Sequence, residues 1–355
     1  MSIFPPPRLF RPILALTICL AGALLFVRLG TVLPWMLGPL ISMALATMAG
    51  LPVEKPRGGL PMGQFVIGAA LGLYFTGPVL RQIADYAPYV MAGALFAFVL
   101  GSVCAFVLSR LSGCDFRTAF FASLPGGAAE MSVLAERMGG RADWVAAAHA
   151  VRIILVVLTV PPLLTMSGVH GAELHAATSR EVHYAGLAAI VAISCAAALL
   201  LRRIDVPNSW VIGPLLAMII VTGSGVELSA LPQWSINGGQ LLIGCGLGSR
   251  FNRGFFRTAP RFLASSALTV CLGIMLAAGF ACALALVSGI NLPTSILATA
   301  PGGVAEMSIT ATVLQFGVPI VTAFHVSRMA ILVVGTAPLF ALGQRYVLWR
   351  AGTPR

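Results

Sequence analysis

Six stretches of the chain, residues 12–27, 89–109, 144–166, 184–201, 262–288 and 329–343, run for the length of a long helix with almost no charge. Crossing a hydrocarbon core takes about 20 apolar helical residues. Inside that core each backbone N–H and C=O must find a partner within the protein, which helices achieve by themselves. The composition agrees: 58% of residues are hydrophobic and 9% charged, against about half and about a quarter in soluble domains. The expected fold class is an all-α polytopic membrane protein. The first run follows Arg8 and Arg11. Further membrane segments come after it, with no small-residue cleavage site ahead of a polar domain, so it reads as a retained first helix.

The formal charge of +11 comes from basic residues set singly or in small groups in the connections, such as Lys55 and Arg57, Arg202 and Arg203, and Arg250 to Arg261. That distribution suits the cytoplasmic bias of Lys and Arg around membrane helices. Direct nucleic-acid binding would need a basic module, and no connection is long enough to hold one. The seven cysteines fall mostly in apolar runs without a C-x-x-C pair, so neither a disulfide framework nor a zinc site is expected.

Within this chain, residues 34–165 align with 209–341 almost without gaps, opening on PWMLGP against SWVIGP. From Leu51 onward the offset is a constant 176, carrying His149 to His325 and Arg152 to Arg328. Gly63, Gln64, Gly68, Gly72, Arg81 and Thr118 meet Gly239, Gln240, Gly244, Gly248, Arg257 and Thr294. The expected architecture is two homologous repeats of about five or six membrane segments. Each reads as a short helix, a Gly-rich helix (60–75; 236–251), a long helix (83–110; 261–288), an interrupted segment and a further long helix (143–166; 319–341). The organisation expected is a leading transmembrane helix (1–30), repeat 1 (31–168), a connector with a linking helix (169–205), repeat 2 (206–345) and a short basic tail (346–355). Six crossings per repeat would make the repeats parallel and five would invert them; Lys and Arg counts in alternate loops are nearly balanced and leave both open.

The densest match is SLPGGAAEMS, 123–132, against TAPGGVAEMS, 299–308. Proline blocks a helical hydrogen bond and glycine frees the backbone, so Pro125-Gly126-Gly127 and Pro301-Gly302-Gly303 predict a discontinuous helix in each repeat. A half-helix starting near residue 128 offers free N–H groups and a partial positive charge, which suit an anion. Ser123 and Thr299 lie close enough to add a hydroxyl at each break. Glu130 and Glu306 fall in the first turn of these half-helices, where a carboxylate is stabilised. They read either as plain helix-start residues or as functional groups, the usual meaning of an ionisable side chain in a membrane segment. His149 with Arg152, and His325 with Arg328, are three residues apart and share one face of the next helix. The geometry allows Glu, His and Arg of one repeat to meet in the bundle interior, either as an interhelical ion pair that fixes packing or as a proton- or ion-coupled binding site.

Gly68-x-x-x-Gly72 and Gly244-x-x-x-Gly248 predict close helix packing. Asp143 and Pro319 read as helix-start residues, and Trp35 and Trp210 as interface-level helix starts. His170, His175 and His183 in the connector match no ligand spacing, so no metal and no cofactor is expected. No Walker loop, Rossmann fingerprint, catalytic triad or zinc-protease motif occurs, so an enzyme is not expected.

The duplicated PGG-x-AEMS, the W-x-x-GP segments and the H-x-x-R pairs resemble the AbrB family of duplicated bacterial inner-membrane proteins, over nearly the whole chain. The resemblance implies a multi-pass location in the bacterial inner membrane and a label as regulator of gene expression; some members carry the name ammonia monooxygenase. A copper or iron oxygenase needs clustered ligands, whereas the His and carboxylate residues here are dispersed. Two broken segments in corresponding positions point to a secondary-transporter site near the membrane midplane. The function expected is transport or export of a small, possibly anionic metabolite coupled to protons or cations, with an indirectly regulating membrane sensor as the alternative. The expected partners are the lipid bilayer and a small-molecule or ion ligand, with homo-oligomerisation left open.

Overall fold

The computed structural model describes residues 10–31, 33–168, 181–251 and 259–350, and these are helical without a strand. The helices are α1 (Phe10–Arg28), α2 (Pro34–Ala49), α3 (Gly59–Gly72), α4 (Gly77–Asp85), α5 (Ala87–Ser112), α6 (Phe116–Ser123), α7 (Ala128–Arg137) and α8 (Ala142–Met166). There follow α9 (Tyr184–Arg203), α10 (Ser209–Gly223), α11 (Gln233–Gly248), α12 (Pro260–Ser288), α13 (Leu292–Thr299), α14 (Val304–Val313) and α15 (Val318–Arg350). His170, His175, Arg257 and the last five residues of the basic tail lie outside the described residues.

All six apolar runs became helices long and apolar enough to cross a membrane: α1, α5, α8, α9, α12 and the Val318–Thr336 part of α15. Their outward sides are greasy. Leu95 and Val99 on α5 and Leu268 and Met275 on α12 are each more than half exposed, as expected for surfaces that meet lipid. One boundary differs from the expectation. Residues 83–85 close α4, an amphipathic helix bent 89° from α3, and α5 starts only at Ala87. Pro88 in the first turn of α5 explains the restart, since its missing N–H and its ring bar a helix from running through it. Gly113 and Gly289 end α5 and α12 in the left-handed region, both with φ +72°, a conformation glycine adopts without strain.

The Gly-rich helices sit where the two halves of the chain cross. A β-carbon at Gly68 or Gly72 of α3 would collide with Val211 or Met218 on α10. Likewise Gly244 and Gly248 of α11 lie directly against the Met36 and Leu40 carbonyls of α2. The expected close packing is therefore made, and each Gly-rich helix makes it with the short helix of the other half. The same exchange recurs further out, with α5 against α15 and α12 against α8.

Both interrupted segments start on a side-chain cap that sequence reading missed. Asp115 accepts from the Thr118 N–H at 2.8 Å and Asn291 from the Thr294 N–H at 2.9 Å. Thr118 Oγ1 in turn accepts from Arg141 N, and Thr294 Oγ1 from Gly317 N, tying each start to the beginning of the following helix. Asp115→Ala is expected to lower stability by about 1 kcal/mol, the usual worth of such a cap, read as a lower thermal unfolding midpoint in detergent.

Candidate functional site

Each Pro-Gly-Gly interrupts a helix where expected: α6 stops at Ser123 and α7 starts at Ala128, and α13 stops at Thr299 and α14 starts at Val304. A break of this kind strands carbonyls at the end of one half-helix and N–H groups at the start of the next. The carbonyl side is where the His-Arg pairs act. Arg152 donates from Nη1 to the Leu124 carbonyl at 2.7 Å and from Nη2 to the Gly126 carbonyl at 3.2 Å. Arg328 repeats this with Ala300 at 2.8 Å and Gly302 at 2.5 Å. His149 Nε2 bonds the Phe121 carbonyl at 2.9 Å and His325 Nε2 the Leu297 carbonyl at 2.8 Å. A carbonyl only accepts, so both rings carry their proton on Nε2. His149 Nδ1 then accepts from Arg152 Nη2 at 3.0 Å, which makes that ring neutral.

The meeting of Glu, His and Arg that the spacing allows is not made as an ion pair. Among the described residues the ion pairs are Arg141–Asp143, at the start of α8, and His183–Glu181; neither involves the two glutamates or the arginines behind the breaks. The arginines are buried, each 6% exposed, and serve as forked splints on the carbonyl ends of α6 and α13. Their positive charge meets the negative end of a helix dipole, which is favourable.

The glutamates take the opposite ends. Glu130 and Glu306 lie in the first turns of α7 and α14. A β-carbon on Gly127 would collide with Glu130 Oε2, and one on Gly303 with Glu306 Oε2. The third residue of each motif is thus glycine for a second reason beside backbone freedom: a carboxylate folds over it toward the positive end of its own half-helix. The hydroxyls do not join them. Thr299 Oγ1 contacts the Ala277 and Ser295 carbonyls instead of the break, and Ser123 Oγ has no hydrogen-bond partner.

Both breaks open on one cavity of about 120 Å³. Its wall holds Pro125, Gly126, Gly127, Gly302, Gly303 and Glu306, together with Arg152 and Arg328. Both guanidiniums thus belong to residues of one cavity wall. Glu130 touches this wall through Gly127, Pro301 lines a neighbouring cavity, and both histidines stand behind the arginines. Sequence reading missed three polar contributors: Gln64, Asn208 and Arg250. Arg250 and Glu306 share this wall. The residue 176 positions before Arg250 is Tyr74, and Asn208 caps α10 in a left-handed conformation (φ 50°) that Leu33 adopts ahead of α2. A search for what recurs passes over residues that differ, such as Arg250 and Asn208; Gln64 does recur, as Gln240, but nothing in the sequence tied it to the breaks.

The fold and this cavity define a class: a multi-pass helical membrane protein in which two interrupted helices present their breaks to a common, arginine-lined space. The chain belongs to the AbrB family, since the family model described as "Transition state regulatory protein AbrB" matches residues 35–343. It is similar to "Uncharacterized protein YhjN" of Bacillus subtilis (strain 168), 26% identical over 92% of this chain and 91% of the relative. It is also similar to "Putative regulator AbrB" of Escherichia coli (strain K12), 25% identical over 85% of this chain and 88% of that protein.

Proposed function

We propose that the protein is a secondary transporter or exporter of a small anionic metabolite, coupled to protons or cations, in the inner membrane of a bacterium. The observation that carries this reading is the shared cavity: two half-helix N-termini and the guanidiniums of Arg152, Arg250 and Arg328 gather there against one lining carboxylate, Glu306. Positive charge gathered in a cleft with low-dielectric walls favours an anion. The glutamates supply the coupling. Protonating Glu306 beside Arg250, or Glu130 behind Gly127, raises the net positive charge at the breaks, so proton and anion would bind together.

A second reading, a membrane sensor that acts on gene expression through a partner, is favoured by the regulator names of the family model and of the Escherichia coli relative. Flux separates the two. A metabolite comparison between cells with and without the gene nominates an anion, and purified protein in liposomes is then assayed for that anion, with a pH-sensitive dye inside. Proton-linked uptake by the wild type is expected, falling to the protein-free level in Glu130→Gln plus Glu306→Gln. Coupled flux that persists in the double variant would remove the glutamates from the mechanism, and absence of flux with retained binding would favour the sensor.

A further inference from the structure

Three residues that each carry a buried side-chain polar atom without a hydrogen-bond partner, Ser123 (Oγ), Ser266 (Oγ) and Arg152 (Nε), line one small chamber of about 30 Å³ beside the central cavity. Unpartnered buried groups are few in native proteins, and each asks for a cause. Arg152 is 6% exposed and Ser266 2%. Three of the four Nη–H bonds of Arg152 go to carbonyls and to His149, and its Nε–H has no acceptor. Thr269 and Cys104 complete the polar side of the wall, with the Thr269 hydroxyl already donating to the Ser265 carbonyl at 2.7 Å.

The chamber is built once although the framework around it is built twice. The positions 176 residues away meet at Pro125, Thr299 and Arg328 around a space of about 10 Å³. There Phe324 stands where the first half has Ala148, and its ring presses on Gly93. Val90 replaces Ser266, Gly93 replaces Thr269, and the Thr299 hydroxyl is satisfied by backbone carbonyls. Arg328 Nε also has no partner, but there the aromatic ring fills the space, whereas the first half keeps it open and adds the unpartnered hydroxyls of Ser123 and Ser266.

About 30 Å³ has room for about two water-sized particles, too little for a metabolite with a carbon chain. The chemistry of the wall selects among small occupants. Arg152 Nε–H can only donate, two free hydroxyls can donate with it, and no carboxylate among the described residues forms an ion pair with this guanidinium. Water could satisfy the hydrogen bonds, but an anion adds a full negative charge beside a buried guanidinium whose other partners are neutral carbonyls and an imidazole.

We propose that this chamber is a resident site for a small inorganic anion of halide size, held by Arg152 Nε–H and the hydroxyls of Ser123 and Ser266. Arg152 also lines the central cavity and Pro301 of the second break lines the chamber, so the occupant sits beside both breaks and against the arginine that splints the first. The site does not depend on the transport reading.

The test is thermal unfolding of the detergent-purified protein in sodium chloride, sodium bromide or sodium gluconate at equal ionic strength. The midpoint of the wild type is expected to rise with chloride and with bromide above its gluconate value. Ser266→Val removes one donor using the residue of the other half, and Ala148→Phe fills the chamber as Phe324 fills its counterpart. Both variants are expected to fold and to lose the halide-dependent rise. In bromide-soaked crystals an anomalous peak is expected between Ser123, Ser266 and Arg152. Equal midpoints for the wild type in halide and gluconate, a halide rise that survives in both variants, or no bromide at that position would each overturn the proposal.

Discussion

Arg328→Ala is expected to leave little monodisperse protein after extraction into detergent. The change strands the Ala300 and Gly302 carbonyls, which accept from this side chain at the broken end of α13. A buried acceptor without a partner costs about 1–3 kcal/mol, so two of them together with the lost helix-dipole contact come to about 3–5 kcal/mol. Arg328→Lys should recover little, because one ammonium cannot span two carbonyls as a planar fork does. Size-exclusion profiles and thermal midpoints read this directly. If Arg328 served only a ligand, Arg328→Ala would fold like the wild type and fail in binding alone; a normal midpoint would therefore overturn the splint role.

Gly68→Leu is the second change expected to be severe. A β-carbon there meets the carbonyl oxygen of Val211, a backbone atom that cannot rotate away, so α3 and α10 must separate. Overpacking against side chains usually costs about 1–3 kcal/mol; against backbone, about 3 kcal/mol or more is expected. Gly238→Ala is the matched control. It sits inside α11 with no atom near its added carbon, and is expected to gain about 0.5–1 kcal/mol from helix propensity alone. Thermal midpoints of the two variants should move in opposite directions. A Gly68→Leu protein as stable as the wild type would mean that close approach at this crossing is dispensable.

Much of the fold was legible because membrane helices announce themselves by length and apolarity, and a Pro-Gly-Gly within such a run has few structural outcomes. Helix α4 was not, since a short amphipathic turn appended to an apolar helix resembles a continuation of the long helix after it; only Pro88 marked the seam. The site was legible by halves. Spacing placed His149 and Arg152 on one face of α8 and implied that they reach the break. What they reach for could not be read, because the acceptors are backbone carbonyls and every residue has one. Opposite charges nearby suggested an ion pair, whereas the structure gives each charge its own helix end. Arg250, Asn208 and the open chamber beside Ser266 were hidden for another reason: they are departures from the internal match, and similarity is what the match displays.

The crossing of the Gly-rich helices also bears on how the protein is made. Synthesis runs from the N-terminus, so α2, α3 and α5 enter the bilayer while their partners α11, α10 and α15 are still untranslated. Until then the grooves at Gly68 and Gly72 face lipid or a chaperone, with helix-to-helix contact deferred across more than a hundred residues. The first half is thus a waiting template, and the cavity at the breaks comes into being only when the last long helix arrives with Arg328.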